Sequence, residues 1–251
     1  FAPVSVDLSY GVAPTGAGEG EGAMLQPTGA GLTLITFEYY ETHPAIREVS
    51  IGSRITRLTL PPTATDVRVP QRNSPFFDEL RRHVVWRDGR VVKTLVNTGE
   101  EYSLTAPFEV AELVAPALKT TGGPVEVLAL ASSRRQLALL RFFEAEPPVL
   151  AWTLDLPVTA AAVGFALGPS SGGNERHLAV IGESSSGGLT LATSHFGANP
   201  PAPMSVRSID GLRPVAHARP GVAATVAGEV TVGILVHQAE GSLGLFETRI
   251  A

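Results

Sequence analysis

Chemistry at neutral pH needs nucleophiles, coupled titratable groups or metal ligands at workable spacing, and this chain offers few of them. It has no cysteine, which removes disulfides, thiolate nucleophiles and Cys-ligated zinc or iron–sulfur sites together. Its histidines, His43, His83, His177, His195, His217 and His237, never pair at i+2 or i+4, the spacing a local metal site prefers. No metal and no cofactor is expected. Ser184–Ser186 lie within GESSSGG, a run of small residues that suits a hairpin turn and not the strand–turn–helix elbow of a serine nucleophile. The Gly16–Gly22 run GAGEGEG lacks the Lys-Ser/Thr of a phosphate-cradling loop and reads as a flexible loop. Asp7, Glu109 and Glu112 remain as carboxylates able to do acid–base work in a pair. Arginine is the plentiful group: Lys93 and Lys119 are the only lysines among 19 basic residues. A guanidinium binds carboxylate or phosphate through two parallel hydrogen bonds, which an ammonium does not.

Composition narrows the class of molecule that must position these groups. The chain has 251 residues, 44% hydrophobic and 17% charged, with 26 Gly and 20 Pro. That is too apolar for a solvated coil and long enough to bury a sizeable core. The longest apolar runs, such as Val158–Leu167, are too short to span a bilayer as a helix. A formal net charge of −5 argues against nucleic acid as the main partner, because phosphate binding needs a basic surface. The chain begins with Phe1 and shows no targeting segment, so the compartment stays open.

A degenerate repeat supplies the architecture. Five segments share an extended apolar pattern: Gly31–Phe37, Arg90–Val96, Gln136–Phe142, Gly188–Ser194 and Ser242–Thr248. Each follows a strand candidate and a turn, at Ala23–Gln26, His83–Trp86, Val125–Ala131, His177–Gly182 and Val230–His237. A third strand follows four of them, at Ile46–Ile51, Glu101–Leu104, Val149–Leu156 and Met204–Ile209. A β-like run closes on Pro14, Pro62, Pro116, Pro169 and Pro220 with the same period of roughly fifty residues. Proline suits a strand end, since it cannot donate within a ladder. Four short strands per unit, repeated, predict propeller blades with strands A to D. The last unit lacks its D strand, and Pro3–Leu8 (PVSVDL) matches that strand type. The expectation is therefore an all-β, five-bladed β-propeller of four-stranded blades, a single domain over 1–251, with its ring closed by the N-terminal strand completing the last blade. Pro62–Arg82 reads as an insertion, with a short helix at Pro75–Arg82. In its blade pattern the chain resembles β-propellers of the WD40 and YVTN general type, although the Trp-Asp and Gly-His signatures of the former are missing.

The repeat assigns the loops to two faces. One rim, made of D–A and B–C loops, receives Arg54, Arg87, Arg90, Arg134, Arg135 and Arg213, among others. The acidic stretches Glu38–Glu41, Glu100–Glu101 and Glu144–Glu146 fall in C–D loops on the opposite face. The turns WRDGR and SSRRQ belong to adjacent blades, so Arg87, Arg90, Arg134 and Arg135 are expected close together, with Asp88 the only acid in either turn. An acidic partner would relieve that repulsion. The sequence thus points to a non-enzymatic scaffold that recognises a protein through an Arg-bearing rim. The alternative is a propeller glycoside hydrolase or a lectin. The former draws on Asp7, Glu109 and Glu112, whereas sugar sites in general want aromatic platforms, here limited to Trp86 and Trp152.

Overall fold

The computed structural model describes residues 7–12, 18–28, 31–43, 48–52, 58–60, 63–68, 72–73, 83–96, 101–116, 120–121, 124–143, 146–167, 175–184, 187–197, 199–215, 218, 220–224 and 230–250. Every regular element among them is a strand, so no described helix is long and apolar enough to cross a membrane. The chain divides into two compact units, Phe1–Ala64 and Thr65–Ala251.

The first unit is a meander of β1 (Asp7–Val12), β2 (Gly18–Thr28), β3 (Gly31–His43) and β4 (Glu48–Gly52), with β5 (Leu58–Leu60) also pairing β3. Three expectations change here. The Gly-rich run is mostly strand: Gly18–Gly22 pairs residue by residue with Val12–Leu8, because alternating Gly and Glu still supplies a full backbone ladder. Glu38–Glu41 is not a loop but the continuation of β3. The run closing on Pro62 is β5, an extra strand of this first sheet, and not strand A of the next blade. Of the proposed closing strand, Asp7 and Leu8 pair with β2, while residues 1–6 lie outside the described set.

The second unit repeats one antiparallel four-stranded pattern. Its first sheet contains β6 (Thr65–Arg68), β8 (His83–Asp88), β9 (Val91–Val96) and β10 (Glu101–Thr105). The next has β11 (Val110–Val114), β13 (Val125–Ala131), β14 (Gln136–Phe142) and β15 (Val149–Asp155). The third has β16 (Ala160–Leu167), β17 (Arg176–Glu183), β18 (Leu189–Phe196) and β19 (Ser205–Ile209). In the last, β20 (Arg213–Pro214) and β21 (Gly221–Ala224) both pair with β22 (Val230–His237), which pairs with β23 (Leu243–Ile250). A parallel pair, β7 (Arg72–Asn73) with β12 (Thr120–Thr121), stands apart. Strands B, C and D thus fall where the repeat put them. Strand A of the first of these sheets is β6, inside the segment read as an insertion. The run closing on Pro220 yields to β21, which starts after that proline. The segment read as a short helix, 75–82, lies outside the described residues.

The cores lie between consecutive sheets. All seven residues of β13 are buried, because each face of its sheet is covered by a neighbour. Val125, Val127 and Ala129 pack towards Val85 and Val92 of the preceding sheet. Leu128 and Leu130 pack towards Val163, Phe165 and Leu178 of the following one. Trp152 stands edge-on to Phe196 there, ring centroids 5.0 Å apart. Gly164 marks the tightest approach: a Cβ on it would meet the Pro220 carbonyl oxygen at 2.6 Å.

One ion cluster interrupts this apolar packing. Glu126 on β13 is only 1% exposed and accepts from Arg141 Nε at 2.9 Å and from Arg176 Nε at 2.5 Å. Arg141 also donates to the Gly197 carbonyl at 3.1 Å. The cluster spans two sheets, so a neutral replacement strips two largely buried guanidiniums of a shared carboxylate. Glu126→Ala is expected to cost about 3–5 kcal/mol of unfolding free energy, measured by denaturant titration; an unchanged midpoint would refute the assignment.

A second prediction concerns pH. His177 faces His195 directly across β17 and β18. Burial lowers its pKa from the ordinary 6.5, against a raising pull from Glu175 and with a further lowering push from His195. The unfolded chain therefore takes up this proton before the folded one does. The stability is present above pH 6.5 and is lost as pH falls from there through the folded value. His177→Gln is expected to flatten the fall of Tm between pH 6.5 and the carboxylate range near pH ~4. Calorimetry across that window checks it, and identical slopes would refute it.

Candidate functional site

The innermost strands of the first three sheets in the second unit are in step with one another. Thr65, Val110 and Ala160 pair with Arg87, Ala131 and Gly182, and three residues later Arg68, Leu113 and Val163 pair with Val85, Ala129 and Val180. Three residues on one strand thus oppose two on the other, so each strand carries a β-bulge at the same place. A bulge leaves one residue out of the ladder and re-aims the side chains beside it. The bulged segments contribute Asp66 and Arg68, then Ala111 and Glu112, then Ala161 and Ala162, to a single cavity of about 340 Å³. Arg87 from β8 and Arg134 from the turn after β13 complete its wall. The alanines leave the room, and the charged groups furnish it.

These side chains also finish the strand edges. On β11 the Leu113 N–H donates to the Asp66 carboxylate, and Arg68 Nε donates to the Leu113 carbonyl at 2.9 Å. Asp66 and Arg68 are themselves ion-paired. On β16, Arg134 Nη1 donates to the carbonyls of Ala160 and Ala161, both at 3.0 Å. Its Nη2 stands 3.8 Å from Glu112 Oε2. Arg87 differs: its Nε lies 4.0 Å from Asp66 Oδ2 and is a buried donor with no hydrogen-bond partner. Among the described residues no three His, Asp or Glu gather as metal ligands would.

Two wall residues hold left-handed backbone, Asp66 at φ 50° and Arg134 at φ 57°. Aspartate tolerates that region; arginine does so at a cost. The hairpins that correspond to the Arg134 turn place glycine there: Gly89, Gly187 and Gly241, all at positive φ. The equivalence rests on hydrogen bonds. Arg134, Gly187 and Gly241 each donate N–H to the residue three before, Ala131, Ser184 and Gln238. The following residues, Arg90 and Arg135, each accept from the next connection, at Ala106 and Leu156.

Of the rim arginines expected from sequence, Arg87 and Arg134 meet at the cavity. Arg90 and Arg135 turn onto the connections beside them: Arg90 Nη2 donates to the Ala106 carbonyl at 3.2 Å, and Arg135 Nη1 to Thr159 Oγ1 at 3.3 Å. Arg213 is exposed on β20, beside Gly187. Arg54 lies outside the described residues, as does His217. The counter-charges come from innermost strands, Asp66 and Glu112, and not from Asp88. Asp66 and Arg68 were missed because their segment read as an insertion; the alternation in TDVR, in step with VAEL and AAAV, was the signal available. Trp86 and Trp152 are buried in the core and serve as no platform.

No family model matches the chain, and no curated protein matches it in sequence. Solved structures do. A mutant of the Aleuria aurantia lectin in complex with Fucα1-6GlcNAc aligns over 99% of this chain and 78% of its own, at TM-score 0.58 and 8% identity. A derivative form of the fucose-specific lectin from the same fungus aligns over 99% and 95%, at 0.51 and 8%. A triple arginine-to-alanine mutant of AofleA from Arthrobotrys oligospora aligns over 98% and 69%, at 0.54 and 12%. These likenesses correct two expectations. The WD40-type resemblance is not sustained, since no family is identified and the similar structures are of another kind. The protein-binding scaffold is overturned as well: the folds this chain shares are those of sugar-binding lectins. The physical reason accords with that, because two of the guanidiniums expected on an open rim instead wall a cavity of small-molecule size.

The left-handed turn yields a prediction. Arg134→Ala and Arg134→Gly both remove the cap on Ala160 and Ala161, but only glycine also relieves the backbone. The glycine variant is expected to be the more stable by about 1 kcal/mol, measured by thermal and denaturant unfolding. Equal stabilities would mean the turn carries no strain. What the fold comparison itself shows is that this chain is an all-β propeller.

Proposed function

We propose that the chain is a carbohydrate-binding propeller of five blades, with its sugar site in the cavity walled by Asp66, Arg87, Glu112 and Arg134. The observation that carries this reading is the cavity itself. Three bulged strands converge on a space of about 340 Å³, within the range of small-molecule sites. Carboxylate acceptors and guanidinium donors both line it, and each can hold hydroxyls of a sugar ring by charge-assisted hydrogen bonds. The lectins from Aleuria aurantia share the fold and make sugar the first ligand class to try.

Binding without turnover is the form this site favours. Asp66 is engaged by Arg68 and the Leu113 N–H, and Glu112 stands 3.8 Å from Arg134, so each carboxylate has a fixed cation as its neighbour. Two carboxylates in one cavity nonetheless make hydrolysis a defined second outcome.

A glycan microarray followed by calorimetry tests the reading. At least one glycan class is expected to bind, with Glu112→Gln weakening it by about tenfold or more while Tm stays close to that of the parent. An array with no binder would refute carbohydrate recognition. Release of reducing ends from a bound glycan, lost in Glu112→Gln, would convert the lectin into a hydrolase.

A further inference from the structure

The charge of the cavity is uneven, and its uneven member is Arg87. Among the described residues that line it, three guanidiniums, Arg68, Arg87 and Arg134, face two carboxylates, Asp66 and Glu112. Arg68 is spent on Asp66 and on the carbonyls of Leu113 and Val67. Arg134 commits its Nη1 to the carbonyls of Ala160 and Ala161, with its Nη2 standing 3.8 Å from Glu112. The Arg87 guanidinium makes no hydrogen bond among the described residues, and its nearest acid, Asp66, is 4.0 Å away and already engaged. Its Nε is buried and has no hydrogen-bond partner, yet the side chain as a whole keeps 25% exposure and lines the cavity. Unlike the indole N–H groups of Trp86 and Trp152, which are also unpaired but lie in the core, this cation lines a cavity that an outside acceptor can enter.

Resting on the carbohydrate reading above, we infer that the cavity selects an anionic sugar, one bearing a carboxylate or sulfate group that pairs with Arg87. The remaining wall suits the rest of such a ligand: Glu112 and Arg134 meet ring hydroxyls, and Ala111, Ala161 and Ala162 give clearance. Asp66 does not repel the anion outright, because the Arg68 ion pair and the Leu113 N–H already hold its charge. The fork of a guanidinium matches a carboxylate in plane and spacing, so a hexuronic acid fits the geometry and a sulfated sugar shares its charge.

Calorimetry with D-galacturonic acid, sulfated D-galactose and neutral D-galactose on the full chain tests this. The acid is expected to bind about tenfold or more tightly than the neutral sugar, with the preference shrinking as salt rises. Equal affinity for the acid and the sulfate means charge alone is read; a lead for the acid means the planar fork is read. Arg87→Gln is expected to bring the acid-to-neutral ratio close to one, and Arg87→Lys to restore part of it. The ratio is the readout, so general damage to the site, which would weaken both sugars together, is told apart from loss of the anion contact. Neutral sugar binding as tightly as both anionic ones would overturn the inference while leaving carbohydrate recognition standing. An unchanged ratio in Arg87→Gln would overturn it too. If none of the sugars binds and the glycan array is also blank, both readings fall together.

Discussion

The innermost strand of each blade has one edge in its own sheet and one edge without a strand partner. Backbone groups on that second edge are too costly to leave unpaired where the strand is buried. In the second unit the solution is side chains from the blade before. Asp66 and Arg68 serve the N–H and the carbonyl of Leu113 on β11, and Arg134 serves the carbonyls of Ala160 and Ala161 on β16. This demand explains why charged residues sit deep between strands that are otherwise apolar. It also places them around a shared space, so the groups that complete the fold are the ones that line the cavity.

The bulges make that arrangement possible. A regular strand alternates its side chains between the two neighbouring blades and has none left for its open edge. One extra residue, at the same place in β6, β11 and β16, turns the pleat enough to direct side chains towards the cavity. Arg134 shows the same compromise at a turn. Its sister hairpins use glycine at that point, and here the backbone strain of an arginine is accepted in return for a guanidinium that reaches the next blade. Left-handed backbone and a place on the cavity wall coincide in Asp66 and Arg134.

Away from the cavity the forces are plainer. Strands β13 and β14 are covered on both faces, and their apolar side chains feed two separate cores, one towards each neighbouring sheet. Sheet stacking of this kind stabilises each blade only in the company of the next. Glu126 is the exception in β13, a charge at a position where the pattern calls for an apolar residue. It is tolerated because Arg141 and Arg176 converge on it from two different sheets, which keeps the ion cluster satisfied and ties those sheets together.

Local periodicity was enough to find most strands, because alternation, a turn and a closing proline are properties of neighbours in sequence. Thus β8, β9, β13, β14, β17, β18 and β22 lie where hydrophobic runs and turns put them. The same reasoning failed where local signals were weak: TDVR is four residues long, and Gly18–Gly22 carries no apolar side chain at all, yet both are strands because an adjacent strand supplies the ladder. Arginine as the dominant charged group, and the nearness of Arg87 to Arg134, were legible in the sequence. Their counter-charges were not. Whether Arg134 faces a partner or folds back on Ala160 depends on a bulge in another strand and on a turn conformation shared with Gly89, Gly187 and Gly241. Sequence alone determined that the chain builds repeated four-stranded sheets, since that follows from spacing within each repeat. Only the tertiary structure decided which side chains meet, because the cavity is formed by residues from three blades whose distance in sequence carries no record of their contact.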